Sequence, residues 1–189
     1  MKKMSLWLVM GLVLFMASCQ NQVKQPAANE ASADSTKPAV QPNIQYAYTI
    51  GHPADNWDRG SQENVAIVLN ALKAFETGNV DECLKAFADS VHWQGDYYDA
   101  KISKDSLTSM FKNSWKNLAS IKIDMSDFES VISKDKKDEY VGLWYKQKWT
   151  DKKGKTDSIY HMDDVKIMNG KIVELDEKTR HFPVPKKKM

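Results

Sequence analysis

The sequence predicts an α+β domain in which helices cover one face of an antiparallel sheet. Three observations predict it. Apolar residues recur at helical spacing through Val65, Val68, Leu69, Leu72 and Phe75, and again through Leu107, Met110, Phe111 and Leu118. After Ser120 the period shortens to that of a strand: Ile121, Ile123 and Met125 alternate with polar residues, as do Val141, Leu143, Tyr145 and Trp149. The polar run Asp151 to Lys155 and the dipeptide Asn169-Gly170 separate the later strands as hairpin turns. Helices first and a long meander afterwards define the class.

The elements follow in order. Gly60-Ser61 opens the first helix, with Ser61 able to cap, and Gly78 ends it. A shorter helix runs from Asp81 to Ala88, with Cys83 on its apolar stripe beside Val80, Leu84 and Phe87. Val91 to Gln94 is a strand, and Gly95-Asp96 a turn or bulge. The third helix centres on Leu107 to Leu118. Strands around Val141–Trp149, Ile159–Ile167 and Ile172–Thr179 complete the domain.

Ahead of this domain the composition changes. Lys2 and Lys3 precede the apolar run Leu6 to Met16, which ends in Ala17-Ser18-Cys19. Basic residues, a short apolar core and small residues before a cut are the layout of a secretory signal. The apolar run falls short of the ~20 residues that span a bilayer. Met16-Ala17-Ser18-Cys19 resembles the bacterial lipoprotein box, in which the cysteine becomes the lipidated first residue. That resemblance implies a signal peptide over residues 1–18, a lipid on Cys19 and attachment to a membrane. Gln20 after the cysteine implies an outer-membrane destination, facing the periplasm or the cell surface. Residues 19–45 are rich in Pro, Ala and Ser and poor in large apolar residues, the composition of a disordered tether. The domain is expected over residues 46–183, and a basic tail over 184–189.

Charge and motif arguments exclude several classes. The chain has 189 residues, 27 of them basic and 25 acidic, and without Lys2 and Lys3 the two signs balance. A balanced domain offers no clustered basic surface for nucleic acid. The mean hydropathy of −0.56 excludes a polytopic membrane protein. No GxSxG elbow, P-loop or dinucleotide fingerprint is present, and no cofactor is expected. The four histidines show no HExxH or paired-cysteine spacing, so no metal site is expected either. With Cys19 lipidated, Cys83 is left without a disulfide partner and is expected in the core.

Two stretches carry a resemblance. Ala74-Phe75-Glu76-Thr77-Gly78-Asn79-Val80 with Leu84 to Trp93, and the closing hairpin Val165 to Leu175, resemble the nuclear-transport-factor-2-like (NTF2-like, or SnoaL-like) superfamily. The resemblance implies a cone: a strongly curved antiparallel sheet wrapped around three helices, with a pocket at its open end. Members include isomerases, cyclases and dehydratases as well as proteins with no chemistry, so fold alone does not settle function. In the isomerase-like members a catalytic Asp sits on the first strand. Here that region reads Trp93-Gln94-Gly95-Asp96, and Asp96 reaches the equivalent place only with a register shift that reverses its face.

Strand alternation names the inward side chains. Gln147 shares the apolar face of Val141, Leu143, Tyr145 and Trp149; His161 and Asp163 share that of Ile159, Val165 and Ile167; Glu177 shares that of Val173 and Leu175. Polar groups on an apolar face cost free energy unless paired, which makes them the informative positions. The expected pocket is walled by Trp93, Trp115 and Tyr145, with His161 and Asp163 inside. The leading expectation is a small, partly apolar ligand bound without catalysis, in a pocket poor in converging ionisable groups. The competing expectation is an isomerase- or cyclase-type enzyme using His161 or Asp163, with Asp96, as base. A third is a homodimer or assembly module that buries Tyr140, Trp144 and Met162 between subunits.

Overall fold

A computed structural model describes residues 45–51 and 55–182. Cys19, where the lipid is expected, the expected signal peptide, nearly all of the expected tether and the basic tail lie outside the described residues. Among those described, no helix is long and apolar enough to cross a membrane.

The elements run β1 (Trp57–Arg59), α1 (Gln62–Glu76), α2 (Val80–Cys83), a 3-10 turn (Leu84–Ala86), β2 (Phe87–Gly95), β3 (Tyr98–Ser103), α3 (Lys104–Asn117), β4 (Leu118–Ser133), β5 (Glu139–Asp151), β6 (Thr156–Met168) and β7 (Lys171–His181). The strands form one open sheet in the order β1-β4-β5-β6-β7-β2-β3. The expected α+β class is what the chain adopts. One junction departs from the expected antiparallel pattern: β2 runs parallel to β7. A parallel pair needs a long crossover rather than a hairpin, and the whole meander supplies it.

Local chemistry fixes the helix ends. Ser61 caps α1 by accepting from the Asn64 amide at 3.2 Å, while its own amide donates to Glu139 Oε1 at 2.7 Å, which ties the helix start to β5. At the other end Gly78 takes φ = +79°, and the amides of Gly78 and Asn79 return to the carbonyls of Phe75 and Ala74. Ser103 caps α3 through the Ser106 amide. The second helix is shorter than the expected Asp81–Ala88. It tightens into a 3-10 turn after Cys83, and Phe87, read as helical, is the first residue of β2.

The sheet is bent by irregularities. Register shifts interrupt β4–β5 at Leu118/Ser120 and Met125/Asp127, β6–β7 at Lys166/Ile167, and β2–β7 between Phe87 and His92. Each extra residue kinks its strand and raises the local twist. The shift in β6–β7 pairs Ile167 with Ile172 and Lys166 with Glu174, leaving Val173 unmatched. The buried residue there is therefore Ile172, not Val173. At the hairpin, Asn169 and Gly170 both have positive φ, as a type I′ turn requires.

The core lies between α1, α3 and the concave face of the sheet. Val65, Val68, Ala71 and Ala74 of α1 and Leu107 and Phe111 of α3 pack against Val141, Leu143, Val165, Ile167 and Ile172. Cys83 joins this core, as its helical stripe predicts. Burial of such side chains at ~25 cal/mol per Å² supplies most of what holds helices to sheet.

Candidate functional site

The helices do not fill the concave face. A cavity of about 240 Å³ remains between them and β2, β5, β6 and β7. Its apolar walls come from Val68, Ala71, Leu72 and Phe75 of α1, Phe87 and Trp93 of β2, and Phe111 of α3. The aromatic part is one continuous set. Phe111 packs on Phe75 (4.9 Å between ring centroids), on Trp93 (5.8 Å) and on Phe87 (6.0 Å), mostly edge to face.

The polar part comes from the sheet. Tyr145, Gln147, Asp163 and Glu177 line the same cavity. Cross-strand pairing explains why they meet: Tyr145 faces His161 across β5–β6, and Asp163 faces Glu177 across β6–β7. The Tyr145 hydroxyl donates to Asp163 Oδ2 at 2.7 Å, and its ring stacks on the His161 imidazole with centroids 4.7 Å apart and planes 6° from parallel. His161 Nδ1 sits 3.1 Å from Glu177 Oε1 and 3.7 Å from Asp163 Oδ1. The first contact is not aligned as a hydrogen bond and the second is too long for one, and His161 Nδ1 and Nε2 and Asp163 Oδ1 are buried without a hydrogen-bond partner.

These surroundings set the proton affinities. Burial opposes the charged form of His161 most strongly, but Asp163 and Glu177 together outweigh it and raise its pKa to about 9. Burial pushes the Asp163 carboxyl upward, and the Glu177 charge adds to this, while His161 and Tyr145 partly offset it. The Tyr145 hydroxyl is held well above its usual range, first by burial and then by the Asp163 charge. Burial alone raises the Cys83 thiol to about 12. The polar end can therefore accept a hydrogen bond at Asp163 Oδ1 and exchange a proton with a bound group.

The sequence-predicted residues are placed unequally. Trp93, Tyr145 and Asp163 line the cavity, and His161 is buried against Tyr145. Trp115 does not line it. That indole packs under Gly78, edge-on to Phe75, and donates from Nε1 to the Phe75 carbonyl at 3.0 Å. Asp96 is away from the cavity, at the β2–β3 turn, where it accepts from Thr179 Oγ1 at 2.8 Å. A pocket poor in converging ionisable groups was expected. Instead Tyr145, His161, Asp163 and Glu177 converge, because β5, β6 and β7 each turn one of their faces to the same point. Phe75, Phe87 and Phe111 were not singled out as walls. The signal available for them was their place on the apolar stripes of their elements.

The fold has known counterparts. The chain is similar to an NTF2-like protein of unknown function from Burkholderia pseudomallei, with 14% identity and a TM-score of 0.51 over 65% of this chain and 92% of that one. It is similar to AusH from Aspergillus nidulans, with 15% identity and a TM-score of 0.53 over 65% and 87% of the two chains. An LEH-like epoxide hydrolase from M. tuberculosis gives 10% identity and a TM-score of 0.52 over 64% and 84%. The domain thus has the NTF2-like fold. Proteins sharing it include both an epoxide hydrolase and a protein without assigned function. No protein-family model matches the sequence, and no curated protein does.

Proposed function

We infer that this chain is a lipid-anchored protein of the bacterial envelope whose domain binds one small, largely apolar molecule with a polar end. The observation that carries the binding reading is the cavity itself, aromatic on the helix side and acidic on the sheet side. The anchor rests on Met16-Ala17-Ser18-Cys19 and the tether behind it, which would hold the domain off an outer membrane. The ligand's polar end is a hydrogen-bond donor, since Asp163 Oδ1 and Glu177 offer acceptors and the Tyr145 hydroxyl is already engaged.

A second reading has one specific observation behind it. Asp163 is a buried carboxyl of raised pKa at the cavity wall, the environment in which an acid or base works near neutral pH. Under that reading Asp163 moves the proton, Tyr145 holds its far oxygen, and the aromatic walls exclude water from the ligand.

Native mass spectrometry of the full chain, purified gently from a bacterial envelope, tests the binding reading. A discrete bound mass is expected, and Ala71→Leu, which grows into the cavity, should remove it. An empty chain overturns the reading, and an empty dimer supports the assembly role in its place. Release of the bound molecule in altered form, blocked by Asp163→Asn, supports the second reading over the first.

A further inference from the structure

We propose that His161, Asp163 and Glu177 form a binding site for one divalent transition-metal ion at the polar end of the cavity. The inference goes beyond ligand binding and rests on the mutual geometry of three donors; with the ion bound, the Asp163 and Glu177 oxygens that otherwise face the ligand's polar end are taken by the metal.

Among the described residues, these three offer ligand atoms that all lie within 4.8 Å of one another. The donors are one imidazole nitrogen and two carboxylates. A metal about 2.0–2.2 Å from each such atom holds neighbouring ligands roughly 3–3.6 Å apart. From His161 Nδ1, the 3.1 Å to Glu177 Oε1 falls within that range and the 3.7 Å to Asp163 Oδ1 lies just beyond it, a gap that a small side-chain shift closes.

Hydrogen bonding gives a second, separate observation. The side chains of His161 and Asp163 are only 6% and 5% exposed. The atoms they aim at the centre, Nδ1 and Oδ1, have no aligned hydrogen-bond partner. Buried polar atoms in native proteins are satisfied in nearly every case, so two orphans facing one point need a common partner. A single cation supplies it, taking the place of the imidazole proton that Asp163 and Glu177 otherwise favour, because coordination needs the atoms to converge on a centre rather than to align with each other.

The surroundings resemble an outer coordination shell. The Tyr145 hydroxyl binds Asp163 Oδ2, which turns Oδ1 towards the centre, and the stacked Tyr145 ring fixes the imidazole plane. Adjacent strands carry all three ligands: His161 and Asp163 are two apart on β6, and Glu177 lies opposite Asp163 on β7. One nitrogen and two oxygens without sulfur suit zinc, iron(II) or manganese rather than copper(I). Three protein ligands beside a cavity leave a position for an outside group, the arrangement of catalytic rather than structural zinc sites.

Zinc titration of the full chain, stripped with a chelator and followed by calorimetry, is the test. One saturable equivalent is expected. Glu177→Gln and Asp163→Asn should each weaken it by about tenfold or more. Glu177 is 28% exposed, so its variant is the safer for folding, and circular dichroism confirms that both variants are native. Cobalt(II) gives a second readout, a ligand-field absorption present in the wild type and lost in Glu177→Gln. His92→Gln, which alters the separate exposed group of His92, Asp99 and Glu174, should leave affinity unchanged. Absence of saturable uptake overturns the site. So does uptake that survives both ligand variants, or that His92→Gln abolishes.

Discussion

Tyr145 and His161 lie face to face across the β5–β6 ladder, 4.7 Å between ring centroids, while the same tyrosine's hydroxyl holds Asp163. One side chain thus covers the imidazole and anchors the carboxylate next to it on β6. Tyr145→Phe keeps the stacking and removes the donor. It leaves Asp163 with neither oxygen aligned to a partner, which costs about 1–3 kcal/mol of stability by urea denaturation. In the Asp163→Asn background the same change should cost measurably less, because the two side chains are coupled.

Leu143 is buried on β5 directly opposite Asp163 and forms part of the cavity wall. Leu143→Ala enlarges a space that already exists, and should lower stability by about 2–5 kcal/mol. The same variant should admit a larger apolar molecule than the wild type, a difference that displacement of a fluorescent hydrophobic probe reads directly.

The Cys83 thiol, raised to about 12 by burial, gives a pH-dependent prediction. A group whose pKa is higher folded than unfolded adds stability below its unfolded value, ~8.5 for cysteine, and loses it as pH rises towards the folded value. The stability difference between wild type and Cys83→Ala should stay flat below about pH 8 and then shrink as the pH rises further. Native protein at pH 8 should resist thiol reagents, and urea should expose one reactive thiol among the described residues.

Gly78 carries φ = +79° at the end of α1, and an added Cβ would meet the Trp115 ring at an ordinary 3.6 Å. Space is therefore available and only the backbone objects. Gly78→Ala should cost about 1 kcal/mol, and thermal unfolding should show a correspondingly lower midpoint with an unchanged fold.

Alternation on β5 and β6 was legible because both strands have one buried face: Val141, Leu143 and Tyr145, and His161, Asp163, Val165 and Ile167, all point inward as their period requires. On β7 the same rule misplaced Val173, since a bulge has no signature in a pattern of apolar residues. Strands β1 and β3 were not foreseen. Trp57–Arg59 is only three residues long with no buried member, and Tyr98–Ser103 is an edge strand with little burial, so neither carries a periodic signal. Trp115 was misassigned to the cavity because helical spacing says which face is buried and not what lies against it. The His161–Asp163–Glu177 group escaped motif reasoning for a topological reason. Its third member lies on the next strand, and only the β6–β7 register brings it opposite Asp163.

The parallel junction of β2 with β7 bears on the order in which the molecule assembles. The β2–β3 hairpin emerges early, yet its inner edge stays bare until Lys171–His181 arrives more than eighty positions later. Closing so long a loop is slow, because chain entropy is lost before the distant contacts form. A nascent chain stopped at the Asn169-Gly170 turn lacks the strand that joins its two halves, and also lacks the acidic partner of Asp163. Folding of this domain therefore waits for its final strand, and the two halves of the sheet stay separate until almost the whole domain has been made.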